Sequence, residues 1–187
     1  MYISSNDATT INERDKMRKT MIRKLYPTKM LDSVSQLPIE ELKMAGIKGI
    51  IFDIDNTLVP YDVAEPTKEI LQLFENLQAQ GFKITLVSNN TEDRVVKFNE
   101  KLKLLALHKA QKPLKKNLKK ALDMMGCKES EVIIVGDQIF TDIYGGNRTG
   151  LGTYLVAPIS DKDEWQVKLK RKLEKIVLKY YKKHLSK

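Results

Sequence analysis

One cysteine, Cys127, is all that the 187 residues carry, so no disulfide can close within the chain. A reducing compartment is expected, with that thiol packed as a small apolar side chain. No run approaches the ~18–20 consecutive apolar residues of a spanning helix, and the polar N-terminus has no signal-peptide core. Neither a membrane-spanning nor an exported chain is expected. The expected location is cytoplasmic, with peripheral attachment to a membrane surface left open. Aromatic residues make up only 7% of the chain and form no clustered platform for stacking nucleic-acid bases. There are no internal repeats and no low-complexity tracts. What remains is 42% hydrophobic and 30% charged, the composition of one globular domain with appendages.

Acidic charge is in deficit: 33 Lys and Arg against 24 Asp and Glu leave +9, which favours anionic partners, either nucleic acid or an anionic membrane surface. The excess is uneven. Residues 101–120 hold eight lysines and no acid, and the chain is Lys-rich again from residue 162.

Three regions are expected: an N-terminal arm with short basic or amphipathic helices over 1–46, a core over 47–158 and a basic amphipathic helix over 159–187. Residues 1–12 are polar and unpatterned. Met17, Met21, Ile22 and Leu25 predict a helix over 14–25 that Pro27 stops, and a second short one runs from Ile39 to the stop at Gly46. From Ile47 the texture becomes apolar runs (49–54, 83–87, 105–107, 131–135, 153–156) alternating with helical patterns (66–80, 93–104, 114–125, 142–149). That alternation predicts an α/β fold, a mostly parallel five-stranded sheet with helices layered on it. In the tail, Trp165, Leu169, Leu173, Ile176, Val177 and Tyr180 recur three and four apart among lysines. That stripe could pack on the domain or lie on a membrane.

Polar residues gather where the apolar runs end. After the first comes Asp53-Ile54-Asp55-Asn56-Thr57. Two carboxylates there repel unless a cation or a shared proton intervenes, and the same residues also suit a plain turn. After the second run comes Ser88-Asn89-Asn90-Thr91, suited to seat a phosphate and also to cap the next helix. Lys112 precedes Pro113 at a helix start, where its ammonium could meet a phosphate, although most lysines in such a segment are solvated charges. After the fourth run, Gly136-Asp137 adds an acid suited to Mg²⁺. Asp142 follows, as a helix cap or as a water-mediated ligand.

In this order the four motifs resemble the signature of the haloacid dehalogenase (HAD) superfamily of phosphohydrolases. The resemblance covers about residues 47–156 and implies a Rossmann-like core with helices on both sheet faces. It implies Asp53 as nucleophile and Asp55 as general acid and base. It also implies Ser88, Asn89 and Lys112 as phosphate ligands, and Mg²⁺ held by Asp53, the Asp55 carbonyl and Asp137, with Thr57 and Asp142 in support. About thirty residues separate Thr57 from Ser88 and about twenty separate Asn89 from Lys112, each already spent on one helix and one strand. The protein is therefore expected to be capless, with an open site facing a macromolecular or surface-presented substrate.

Leu25-Tyr26-Pro27, Gly46-Ile47-Lys48-Gly49-Ile50, Leu58-Val59 and Gln138-Ile139-Phe140-Thr141 extend the likeness to residues 25–156. There the chain is similar to the YqeG-type subgroup and to the phosphatidylglycerophosphate phosphatases of mitochondria and plastids. The substrate this implies is an anionic lipid head group. The competing readings are a capless phosphatase acting on nucleic acid or phosphoprotein, and a non-catalytic binding or assembly protein on the same fold. The second must explain acids that repel one another without a metal.

Overall fold

The computed structural model describes residues 20–160 and 165–185. Their centre is a parallel sheet of β1 (Lys29–Leu31), β2 (Gly49–Phe52), β3 (Lys83–Val87), β4 (Leu105–Leu107), β5 (Val132–Gly136) and β6 (Gly152–Val156), in the order β1-β6-β5-β2-β3-β4. The helices are α1 (Ile39–Met44), α2 (Lys68–Ala79), α3 (Glu92–Asn99), α4 (Lys115–Met125), α5 (Tyr144–Thr149) and α6 (Trp165–Leu185).

The central strands are apolar throughout because both faces are covered: every residue of β2 and β5 is buried. Alternation sorts the side chains between two layers. Ile50 and Phe52 join Ile70, Phe74 and Leu77 of α2 and Val95 and Phe98 of α3, whereas Ile51 and Ile134 join Leu118, Ala121 and Leu122 of α4. The doubly wound α/β fold is thus as expected, with helices on both faces. Gly146 lets α5 lie against the sheet, since a Cβ there would stand 2.5 Å from Ile134 Cγ2 and 2.6 Å from Thr153 Cγ2.

The five expected strands are present within a residue or two, and a sixth joins them. β1 pairs in parallel with Tyr154–Val156 of β6. Three residues at a sheet edge, two of them half-buried, give too short an alternation to read from sequence. The helix expected over 93–104 stops at Asn99, whose amide bonds both the N–H and the carbonyl of Leu104, at 3.0 and 2.8 Å. The helix expected from residue 142 begins instead as a π-helical turn over Ile139–Ile143. Of the helix expected over 14–25, residues 20–23 are helical; the rest up to residue 19, and the arm before it, lie outside the described residues.

The chain enters at the edge strand β1, passes to the centre at β2, builds outward through β3 and β4, then crosses back to β5 and β6. Sequential connections therefore reverse direction between β2 and β5, where open α/β sheets form a crevice at their C-terminal edge. The intervals 58–87 and 90–111 each hold one helix and one strand, so no cap is inserted in either.

Candidate active site

Asp53 follows β2 directly and is buried, 5% exposed. Beyond it the chain turns back: Thr57 and Leu58 donate their N–H groups to the Ile54 carbonyl at 3.2 and 2.9 Å. Asn56 takes the left-handed conformation, φ 61°, which asparagine tolerates better than most residues. The turn brings Thr57 Oγ1 within 2.9 Å of Asp137 Oδ1 and 3.4 Å of Asp53 Oδ2. Its single proton is best placed for Asp137.

Lys112 is the one buried lysine among the eight of residues 101–120. Its Nζ lies 2.6 Å from Asp53 Oδ1 and 2.7 Å from Asp142 Oδ1. The loop that delivers it is fixed by Asn89, which accepts the Lys112 N–H at 2.7 Å and donates to the Lys112 carbonyl at 3.1 Å. Asn89 thus reaches the centre through the Lys112 backbone. Ser88, buried at the end of β3, accepts the Asn90 N–H on Oγ at 3.0 Å and keeps its own proton for donation.

Asp142 is fully buried, its Oδ2 accepting the Gln138 N–H at 3.2 Å and the Thr141 hydroxyl at 3.3 Å. It sits inside the π-helical turn and caps no helix. It also needs Gly136 beneath it: a Cβ at residue 136 would overlap the Asp142 carboxyl carbon and lie 2.5 Å from Asp142 Cβ.

Asp53, Asp137 and Asp142 place one oxygen each within 4.8 Å of one another. The carboxylate of Asp55 points elsewhere. It accepts Arg94 Nε at 3.1 Å and Asn90 Nδ2 at 2.9 Å, and pairs with Arg94 Nη2 at 3.0 Å. Arg94 is itself held by the Ala64 carbonyl at 2.9 Å and by the Phe98 ring.

The C-terminal helix also reaches the centre. Arg171 of α6 pairs with the Asp137 carboxylate and donates to the Asp137 carbonyl at 2.7 Å. Glu174, one turn on, accepts the N–H of Ile139 at 2.7 Å and of Phe140 at 3.3 Å. Arg94, Arg171 and Glu174 are absent from the sequence reading, where Asn90 stands only within the polar cluster Ser88-Asn89-Asn90-Thr91 and not as a partner of Asp55. The 174-177-178-181 spacing shows that one face of α6 is buried, but nothing local says what it meets.

Four buried carboxylates, Asp53, Asp137, Asp142 and Glu174, share the two cations Lys112 and Arg171, which leaves an excess of negative charge below the surface. Burial accordingly pushes Asp53 up to about 8 against the attraction of Lys112, and Asp137 up to about 6 against Arg171. Burial opposes charge on Lys112, yet its two carboxylates hold its pKa above the ordinary lysine value. A proton or a cation must balance the cluster. An all-oxygen donor set with an excess of negative charge suits a hard divalent ion such as Mg²⁺.

Residues 9–160 match the family model described as mitochondrial PGP phosphatase. The chain is 37% identical over 159 residues to the probable phosphatase YqeG of Bacillus subtilis, covering 84% of this chain and 92% of that one. It is 35% identical over 153 residues to phosphatidylglycerophosphate phosphatase 1, chloroplastic/mitochondrial, of Arabidopsis thaliana, covering 75% of this chain and 43% of the plant protein. Among solved structures, the HAD phosphatase from Thermococcus onnurineus aligns with a TM-score of 0.52 at 14% identity, covering 64% of this chain and 90% of that one. The cobalt-bound deoxy-D-mannose-octulosonate 8-phosphate phosphatase of Haemophilus influenzae aligns with the same TM-score, 0.52, over 74% and 91% of the two chains. At such identity both show a shared fold.

Proposed function

From the premise that this chain belongs to the mitochondrial PGP phosphatase family and is a HAD-type phosphatase, we propose that it hydrolyses the phosphomonoester of phosphatidylglycerophosphate, with Mg²⁺, through a phosphorylated Asp53. The observation that carries the mechanism is the buried Asp53 carboxylate at the end of β2, 2.6 Å from Lys112 Nζ and facing Asp137 and Asp142.

Asp53 attacks phosphorus with one carboxylate oxygen, forming the acyl phosphate as the bond to the lipid alkoxide breaks. Burial alone favours the protonated Asp53, and the charges of Lys112 and of a bound cation would hold it as the carboxylate that attacks without a general base of its own. Asp55 gives the departing alkoxide its proton and later takes one from the water that cleaves the acyl phosphate. Asn90 and Arg94 hold Asp55 until substrate arrives. Lys112 and the Ser88 hydroxyl take the phosphoryl oxygens, Asn89 keeping the Lys112 backbone in place. Asp53, Asp137 and the Asp55 carbonyl would hold the cation, with Asp142 behind them anchoring Lys112. Bound there, Mg²⁺ supplies positive charge to the phosphoryl oxygens and offsets the excess negative charge of the cluster.

The lipid substrate is supported by the family relationship and by the outward side of α6. Leu173, Ile176 and Tyr180 are 53%, 53% and 64% exposed, and Lys172, Lys175, Lys179 and Lys183 are exposed beside them. An apolar stripe bordered by lysines suits attachment to an anionic bilayer surface. No helix among the described residues is long and apolar enough to cross a membrane.

Phosphate release from phosphatidylglycerophosphate in mixed micelles with Mg²⁺ tests the reading, beside a phosphorylated oligonucleotide, a phosphopeptide and a sugar phosphate. Release from the lipid, reduced to background in Asp53→Asn, is the expected result. Preference for any other member of the panel sinks the lipid substrate.

A further inference from the structure

The chemistry proposed above leaves one built feature unused. A cavity of about 300 Å³ runs along the C-terminal edge of the sheet between β1, β6 and α6, at the small end of the range for ligand sites. Leu31, Ile139, Leu155, Val156 and Leu178 make its walls apolar, and Asp137, Arg171 and Glu174 make one end polar. The sheet order places that polar end one strand from Asp53, and the apolar part extends over β6 to β1, away from Lys112.

The rim includes Met30, 39% exposed, with the oppositely charged Asp32 and Lys175. Lys175 also borders the outer groove formed with Ile176, Lys179, Tyr180 and Lys183. The cavity therefore lies between the reactive carboxylates and the lysine-bordered stripe of α6. Its occupant must be polar toward Asp137 and Arg171 and apolar along β6, where Leu155 and Val156 line it. An apolar peptide segment meets only the second condition.

We propose that this cavity binds an acyl chain of an anionic phospholipid phosphomonoester whose phosphate stands at Asp53. This rests on the lipid reading of the preceding subsection and adds the place where the chain is held. The enzyme then draws part of one chain out of the bilayer, and chain length becomes a determinant of recognition.

The test uses the full-length Asp53→Asn protein, which is not expected to turn its ligands over, and ethyl, butyl, hexyl and octyl phosphate below their micellar concentrations. Calorimetry is expected to show affinity rising about 3–4-fold with each added methylene until the cavity is filled, the value for burying one CH₂. Leu155→Trp, which fills the space, is expected to flatten the series. Because that variant could misfold, the unfilled protein is also photolabelled with octyl phosphate carrying a terminal diazirine, and the label is expected on peptides spanning residues 29–32 or 154–158. Equal affinity for ethyl and octyl phosphate, or label confined to the outer face of α6 or to residues outside these peptides, overturns the proposal. Hydrolysis of phosphatidylglycerophosphate without any chain-length effect would reject the cavity while keeping the function. A chain-length effect in an enzyme inert toward that lipid would reject the substrate while keeping an amphiphile site.

Discussion

Lys112 carries more of the site than any other single side chain, because one ammonium stands between two carboxylates with almost no access to water. Lys112→Met keeps the length and removes the charge, leaving Asp53 and Asp142 unpaired. Breaking a buried pair in this way typically costs about 3–5 kcal/mol, so urea denaturation without metal should show a loss of that order, and turnover should fall at least as far as in a phosphate-binding defect. The same cluster sets a pH dependence. A carboxyl whose folded-state pKa lies above its unfolded value favours folding while protonated, and that contribution is lost as pH rises through the folded value. With Asp137 at about 6 and Asp53 at about 8, the metal-free protein should melt at progressively lower temperature between pH 5 and pH 9. Mg²⁺ should raise the melting temperature most at the alkaline end. A flat profile without metal would remove the excess-charge argument. The acids and Lys112 were legible in the sequence because each follows an apolar run or precedes a proline. Asp55's partner Arg94 was not, since α3 turns that residue toward the site only once β3 has set the direction of the helix.

At the level of elements, α6 is both a support for the reactive loop and an outward surface. Its inward residues Val177 and Leu178 pack on Ile139, Ile143 and Leu155, and the Tyr181 hydroxyl donates to the Pro27 carbonyl at 3.1 Å. Glu174 then ties the π-helical turn that orients Asp137 and Asp142. Glu174→Ala strands two backbone N–H groups and loosens Arg171. A loss of roughly 3 kcal/mol in urea denaturation is expected, together with a higher Mg²⁺ concentration for half-maximal activity, and Glu174→Gln should recover a large part of both. A purely structural role would lower stability and leave the Mg²⁺ requirement where it was. The amphipathic period of α6 was readable, as were the boundaries of α2 and α4, where Thr67 accepts the Ile70 N–H at 3.4 Å and Gly126 closes the helix at φ 61°. β1 was not readable, because its identity as a strand comes from the register it shares with β6 and not from any pattern in Lys29–Leu31.

For the whole molecule, part of the +9 charge lies in the lysines that border the exposed apolar stripe of α6, where the proposed membrane contact can be tested. Ile176→Ser with Tyr180→Ser removes two of the three exposed apolar side chains of the stripe without touching the buried face of α6. Binding to vesicles rich in anionic lipid, measured by sedimentation, should weaken while the melting temperature holds within a degree or two. Unchanged binding would move the membrane contact off this helix. The central claim, that a carboxylate at the end of β2 accepts the phosphoryl group of a lipid monoester, is tested most directly by quenching the enzyme in acid during turnover of phosphatidylglycerophosphate and mapping the phosphoryl group by mass. The account requires it on the peptide that carries Asp53, disappearing as substrate is exhausted and absent in Asp53→Asn. Phosphate release at full rate by Asp53→Asn, or a phosphoryl group on a different residue, would contradict it.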